Sequence, residues 1–71
     1  MNWDDLRLFL AVARTGSISG AARQLAVQHS TVSRRMRQLE AKLATRLIER
    51  KKSGYVLTPA GEDIKQTASR M

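Results

Sequence analysis

Seventy-one residues make one small domain with a modest core, and having no cysteine and a single histidine excludes a disulfide framework and a Cys/His zinc site. Stability must then come from helix packing, from a second copy, or from a larger protein around the domain. Thirteen Lys and Arg against six Asp and Glu give +7; eight of those bases and two of those acids fall between His29 and Tyr55, so that stretch alone carries +6 and suits a polyanion.

Charge by itself fits a solvated surface equally well, so the positions of the bases decide. At the N-terminus, Asn2 is a good N-cap, with Asp4 and Asp5 in the first turn at the positive end of the helix dipole. Leu6, Phe9, Leu10 and Ala13 follow at i, i+3, i+4 and i+7, which predicts a first helix buried along that stripe. Trp3, beside two aspartates, reads as a core or dimer contact. Gly16 suits a helix stop. Ser17 then caps a short second helix in which Ile18, Ala21, Ala22 and Leu25 repeat the spacing. Ala21 and Ala22 are small enough for another helix to cross closely. Gly20 weakens this helix by up to ~1 kcal/mol relative to alanine, so tertiary packing must hold it.

A break at Ala26-Val27-Gln28 separates this helix from a third, expected from about His29 to Ala44. Val32, Met36, Leu39 and Leu43 form its inward stripe. Ser30, Thr31, Ser33, Arg34, Arg37 and Gln38 face outward, and Gln28 is a poor N-cap. Two short helices with this break, the second opening on small polar side chains followed by arginines, match a helix-turn-helix whose second helix lies in the DNA major groove. Short side chains allow close approach, and long cationic ones reach base edges or phosphates.

Leu47-Ile48-Glu49-Arg50 and Tyr55-Val56-Leu57 can form two strands joined by Lys51-Lys52-Ser53-Gly54, a hairpin with a cationic tip, or wing. Two strands alone are marginal in water, so the hairpin must pack on the helices. Thr58-Pro59 is a strong helix start, and Ile64, Ala68 and Met71 form a stripe with no expected partner inside so small a domain. A chain stopping within such a helix reads as an excised piece. The expected fold is mainly α: a three-helix winged helix-turn-helix with a two-stranded wing (residues 1–57) and a C-terminal linker helix that begins here (58–71).

Enzyme chemistry lacks its residues. Asp4-Asp5 and Glu62-Asp63 sit at helix starts, and glycines 16, 20, 54 and 61 match no phosphate-binding spacing. Neither a cofactor nor a metal is expected. No apolar run approaches the ~20 residues of a membrane span, and the acidic N-terminus lacks the features of a secretion signal. The expected location is the cytoplasm, with no membrane partner.

The succession LRLFLAVARTGSISGAARQLAV, then STVSRRMRQLEAKLATRLIER, then a basic turn and LTPAGE, resembles the N-terminal winged helix-turn-helix domain of LysR-type bacterial transcriptional regulators over essentially the whole chain. The resemblance implies promoter binding by dimers or tetramers. It implies a linker helix pairing with its copy, here through Ile64, Ala68 and Met71. A small-molecule effector would bind a separate sensing domain that these residues do not contain. Carried over by position, base readout falls on His29, Ser30, Thr31, Ser33 and Arg34. Ser17 and Ile18 fall where the second helix meets phosphate. Arg50, Lys51, Lys52 and Ser53 form the wing toward the minor groove, and Arg37 joins the backbone-holding cations. The chain departs from the family at Gln28-His29, where Ser-Gln is common. It has Ala44 where glycine is common, Ile48 in place of an aromatic and Ser53 in place of arginine. Ala44 and Ile48 read as packing positions that tolerate the change. Arg35 and Lys42 lie off the groove-facing line and read as solubility or distant phosphate contacts.

Two rivals remain. A winged helix can be a protein-interaction or dimerisation module without DNA readout, but then the outer face of the third helix should be apolar rather than hydroxyl and arginine. RNA binding usually needs stacking aromatics on an exposed sheet, and only Trp3, Phe9 and Tyr55 are available.

Overall fold

Among the described residues, three of the four helices start on an oxygen side chain. In the computed structural model, which describes residues 2–70, Asn2 Oδ1 accepts from Asp5 N at 2.8 Å and opens α1 (Trp3–Thr15). Ser17 Oγ accepts from Gly20 N at 2.7 Å and opens α2 (Ile18–Leu25). Thr58 Oγ1 accepts from Gly61 N at 3.1 Å and opens α4 (Pro59–Ser69). The exception is α3 (His29–Leu43), whose first-turn N–H groups donate no hydrogen bond to the Gln28 side chain, as expected of so poor a cap. Between α3 and α4 lie β1 (Ile48–Lys51) and β2 (Gly54–Leu57), paired antiparallel with Ile48 opposite Leu57 and Lys51 opposite Gly54. The winged helix-turn-helix expected from the sequence is the observed fold. No described helix is long and apolar enough to cross a membrane.

The helix ends hold an unexpected feature. Residues 26–28 form the anticipated break, but α2 ends with Ala26 in the left-handed region, φ 58°. There Ala26 N donates to Arg23 O (3.3 Å) and Val27 N to Ala22 O (3.0 Å). The same pair of bonds recurs at the end of α3: Ala44 has φ 52°, its N–H reaches Ala41 O (3.1 Å), and Thr45 N reaches Glu40 O (3.1 Å). Both are the paired-bond terminus that usually places glycine at the left-handed position. Alanine there brings its Cβ against the following carbonyl, at about 1–2 kcal/mol. Ala44 is therefore a backbone position and not the packing position the sequence suggested.

Leu8, Phe9, Ala11 and Val12 of α1, Ile18, Ala21 and Ala22 of α2, Val32, Met36 and Leu39 of α3, and Leu47 and Ile48 of the wing build the core. The α1 face is rotated from expectation. Of the stripe Leu6, Phe9, Leu10, Ala13 only Phe9 is buried, the others being half-buried. Residues 8–13 are all apolar, so the arc was wider than one stripe, and packing centred it on Leu8 and Val12. Leu6 turns toward α4 instead, where it shares a groove with Trp3, Ile64 and Ala68. Trp3 is 68% exposed and is not a core residue. Ile64 packs partly against the core, so the α4 stripe is not wholly without a partner. Ala68 is half-buried, and Met71 lies outside the described residues.

The wing is anchored rather than free-standing. Tyr55 N donates to Gly16 O at 2.9 Å, tying β2 to the α1–α2 turn. Gly54 has φ 126°, and a Cβ there would lie 2.6 Å from that same Gly16 oxygen, so only glycine fits. Its turn is tighter than expected, with Lys51 paired in β1 and only Lys52 and Ser53 between the strands. At the root, Thr58 N donates to Leu47 O (3.1 Å) and Thr58 Oγ1 to Arg46 O (2.6 Å). Gly61 passes so close to Leu47 that a Cβ would collide with its carbonyl oxygen.

Candidate nucleic-acid interface

Val32, Met36 and Leu39 fix which side of α3 faces the core. At 3.6 residues per turn, Ser30, Arg34 and Arg37 fall on the opposite ridge, all exposed. His29 and Ser33 flank that ridge on the wing side. Thr31, half-buried, lies on the other flank.

Two adjoining grooves bring distant parts of the chain together. One, of about 340 Å³, is lined by Ser17 and Ser19 from the start of α2, His29 from the start of α3, and Arg50, Lys51 and Lys52 from the wing. The next is lined by Ile18, Ser33, Arg37 and Tyr55 among others. Thus the N-termini of α2 and α3 and the hairpin surround one surface. Ser30, Thr31 and Arg34 line neither groove. Ser53 is exposed at the hairpin turn. Ile18 is only 4% exposed, so its side chain belongs to the core and only its backbone can meet a ligand. Ser17 Oγ accepts the Gly20 bond and keeps its hydroxyl proton to donate.

Ion pairing divides the eight bases of the cationic stretch into two groups. Asp5, a buried carboxylate at the start of α1, faces Lys42 Nζ at 3.5 Å and Arg35 Nη2 at 4.0 Å. Its Oδ2 has no hydrogen-bond partner, so the attraction there is Coulombic without an aligned donor. Arg46 Nε lies 3.6 Å from Glu40 Oε2, and Lys51 Nζ lies 3.8 Å from Glu49 Oε2. Among the described residues, Arg34, Arg37, Arg50 and Lys52 have no carboxylate at ion-pair distance. Those four stand on the outer face of α3 and on the wing.

Sequence reasoning missed Asp5 and Glu40 as structural carboxylates. A signal existed for both. Asp5 heads the true buried stripe of α1 (5, 8, 9, 12), and Glu40 prolongs the buried line Val32–Met36 at i+4. Glu40 Oε2 accepts from Leu47 N (2.7 Å) and Ile48 N (3.2 Å).

The sheet offers no stacking platform: Phe9 is fully buried, Tyr55 is half-buried, and the exposed hydrophobic side chain of β2 is Val56. A separate apolar groove of about 440 Å³ lies between α1 and α4, lined by Asn2, Trp3, Leu6, Asp63, Ile64, Thr67 and Ala68.

The family model described as bacterial regulatory helix-turn-helix protein, lysR family, matches residues 3–62. The HTH-type transcriptional regulator YofA of Bacillus velezensis is 48% identical over 71 residues, which is all of this chain and 25% of that protein. The chain thus spans about a quarter of the length of the curated relatives it matches. Among solved structures, the BenM DBD complex with catB site 1 DNA superimposes with a TM-score of 0.91 at 33% identity, covering 99% of this chain and 79% of that one. The CbnR DBD–DNA complex does so at 0.89 and 38% identity, covering 99% and 80%.

Proposed function

The chain belongs to the LysR family of bacterial regulatory helix-turn-helix proteins, and from that premise we propose that it binds double-stranded DNA sequence-specifically in the control of transcription. Helix α3 enters the major groove and the wing approaches the minor groove. The observation that carries the reading is the sorting of charge. Carboxylates pair with Arg35, Lys42, Arg46 and Lys51, while Arg34, Arg37, Arg50 and Lys52, on the outer face of α3 and on the wing, have none at ion-pair distance among the described residues. The likeness to the CbnR and BenM domains, solved with DNA, supports it.

In this reading His29, Ser30, Thr31, Ser33 and Arg34 face base edges, while Ser17, the Ile18 backbone, Arg37, Arg50, Lys52 and Ser53 hold phosphate or the minor groove. Lys51 contributes less than its neighbours, because Glu49 shares its charge. Residues 1–57 form the DNA-reading unit, and residues 58–71 begin a helix that pairs with its copy. The apolar groove of Trp3, Leu6, Ile64 and Ala68 is the face a second chain would cover. An α3 ridge of serine and arginine argues against a protein-docking module. The test is selection of bound duplexes from a random DNA pool, followed by titration over a range of salt. An enriched motif and a steep fall of affinity with salt are expected. Steep salt dependence with no enriched motif would refute sequence-specific readout.

A further inference from the structure

The residue that connects the recognition helix to the wing is an acid, on a surface built to meet a polyanion. Glu40 projects from the last third of α3 with its side chain only 13% exposed. A single oxygen, Oε2, accepts from the two successive amides that lead into the hairpin, Leu47 N at 2.7 Å and Ile48 N at 3.2 Å. Arg46 Nε, 3.6 Å away, balances its charge. The intervening chain, residues 44–47, belongs to no helix or strand; the Ala44 and Thr45 amides close α3, and Leu47 N is held by Glu40.

Among the described residues, the opposite strand is tied to the α1–α2 turn by the Tyr55–Gly16 bond. Thr58 joins the two legs of the hairpin to each other through Arg46 O and Leu47 O, but it does not reach α3. Leu47 and Ile48 are buried in the core, and the Glu40 oxygen adds the directional polar contact that sets the first strand against the recognition helix. Arg50 and Lys52 lie two and four residues beyond Ile48, about 7–13 Å along an extended chain, so a small pivot at Ile48 becomes a displacement of those cations comparable to a phosphate contact.

We infer that Glu40 is a positioning residue for DNA binding, holding the wing in register with α3 by accepting the Leu47 and Ile48 amides, so that helix and hairpin engage one duplex together. The inference rests on the DNA-binding reading above. It also predicts against simple electrostatics. Removing an acid beside a DNA-binding surface should by charge alone raise affinity, whereas removing this one should lower it.

The experiment is a double-mutant cycle on the 71-residue chain, using a duplex selected by the wild type and checking each variant's fold by circular dichroism. Arg50→Ala/Lys52→Ala discharges the wing, Glu40→Met removes the acceptor at similar volume, and Glu40→Gln keeps an acceptor oxygen without the charge. In wild type, discharging the wing should weaken binding about tenfold and lower the salt slope by roughly two. In the Glu40→Met background the same change should cost about threefold or less, because the wing is already out of place. Glu40→Gln should restore the full wild-type effect, and amide exchange at Leu47 and Ile48 should quicken in Glu40→Met but not in Glu40→Gln. Should Glu40→Met fail to fold, Glu40→Asp, which withdraws the oxygen by one methylene, takes its place in the cycle. Equal wing costs in both backgrounds, or tighter binding by Glu40→Met, would overturn the inference alone. A discharged wing that binds like wild type would overturn the wing's role in the parent reading, and this inference with it.

Discussion

Replacing Ala44 by glycine should stabilise the domain while removing atoms from it. Ala44 closes α3 at φ 52°, where its Cβ costs about 1–2 kcal/mol. Glycine removes that cost but frees the unfolded chain, which returns about 0.4–1 kcal/mol. The methyl group is exposed, so no core contact is lost, and the two terminal bonds are main-chain bonds that glycine keeps. The net gain is about 0.5–1 kcal/mol, worth roughly 3–6 °C in melting temperature for a domain of this size. Ala26, exposed at φ 58° with the same bonds, should respond alike, and the double variant should gain nearly the sum. Urea unfolding followed by circular dichroism reads this as a higher midpoint at unchanged slope. Ala44→Gly should leave affinity for DNA unaltered, since residue 44 lies at the far end of α3 from His29. If either glycine variant lowers the midpoint, left-handed strain is not what those alanines carry and the account of both helix ends is wrong.

Other outcomes follow from the same geometry. Lys52→Ala should weaken binding to all duplexes and lower the salt slope by about one, whereas Lys51→Ala should do less and Glu49→Gln should tighten binding; equal losses at the two lysines in competition titrations would deny the Glu49 pairing. Arg34→Ala should relax preference at one base pair per half-site, a loss of about 1–3 kcal/mol of discrimination, and an unchanged binding-site scan would move Arg34 to phosphate. Asp5→Asn should cost about 1 kcal/mol in urea unfolding, modest because Arg35 and Lys42 remain partly hydrated, and the cost should shrink in high salt; a loss that salt does not change would mean that Asp5 acts by shape instead. Trp3 fluorescence should shift to the blue when two chains occupy a palindromic duplex, since pairing would cover the α1–α4 groove, and an unshifted spectrum with two chains bound would place the dimer contact elsewhere.

Much of the fold was legible because short-range chemistry dictates it. Asn2, Ser17 and Thr58 each cap the helix they precede, and the stripes of α2 and α3 are buried except for Leu25 and Leu43, which are half-buried. The failures came where local pattern was degenerate. On α1, residues 8–13 are apolar throughout, so periodicity offered several faces and the packing of Leu8 and Val12 chose among them. Trp3 reads from sequence as a core or dimer contact, and at 68% exposure it is not in the core. The helix-ending conformation of Ala26 and Ala44 has no signature in their side chains, since glycine or asparagine is the usual mark of that position.

The site was legible as a region but not as a set of charges. A +6 stretch reads from sequence as eight equivalent cations, and only the fold shows that Asp5, thirty positions or more from its partners in the chain, neutralises two of them. Glu40 and Glu49 engage two more. A bare charge count thus overstates what the surface presents to a phosphate backbone, and it hides a division of labour. Arg35 and Lys42 on α3 face Asp5 of α1, Arg46 faces Glu40 at the wing root, and Lys51 pairs with Glu49 within β1. A polyanion meeting this surface finds four cations unpaired among the described residues, carried on α3 and on the wing, rather than eight. That arrangement favours registering a duplex over merely attracting one, because phosphate contacts set the orientation in which base contacts become possible.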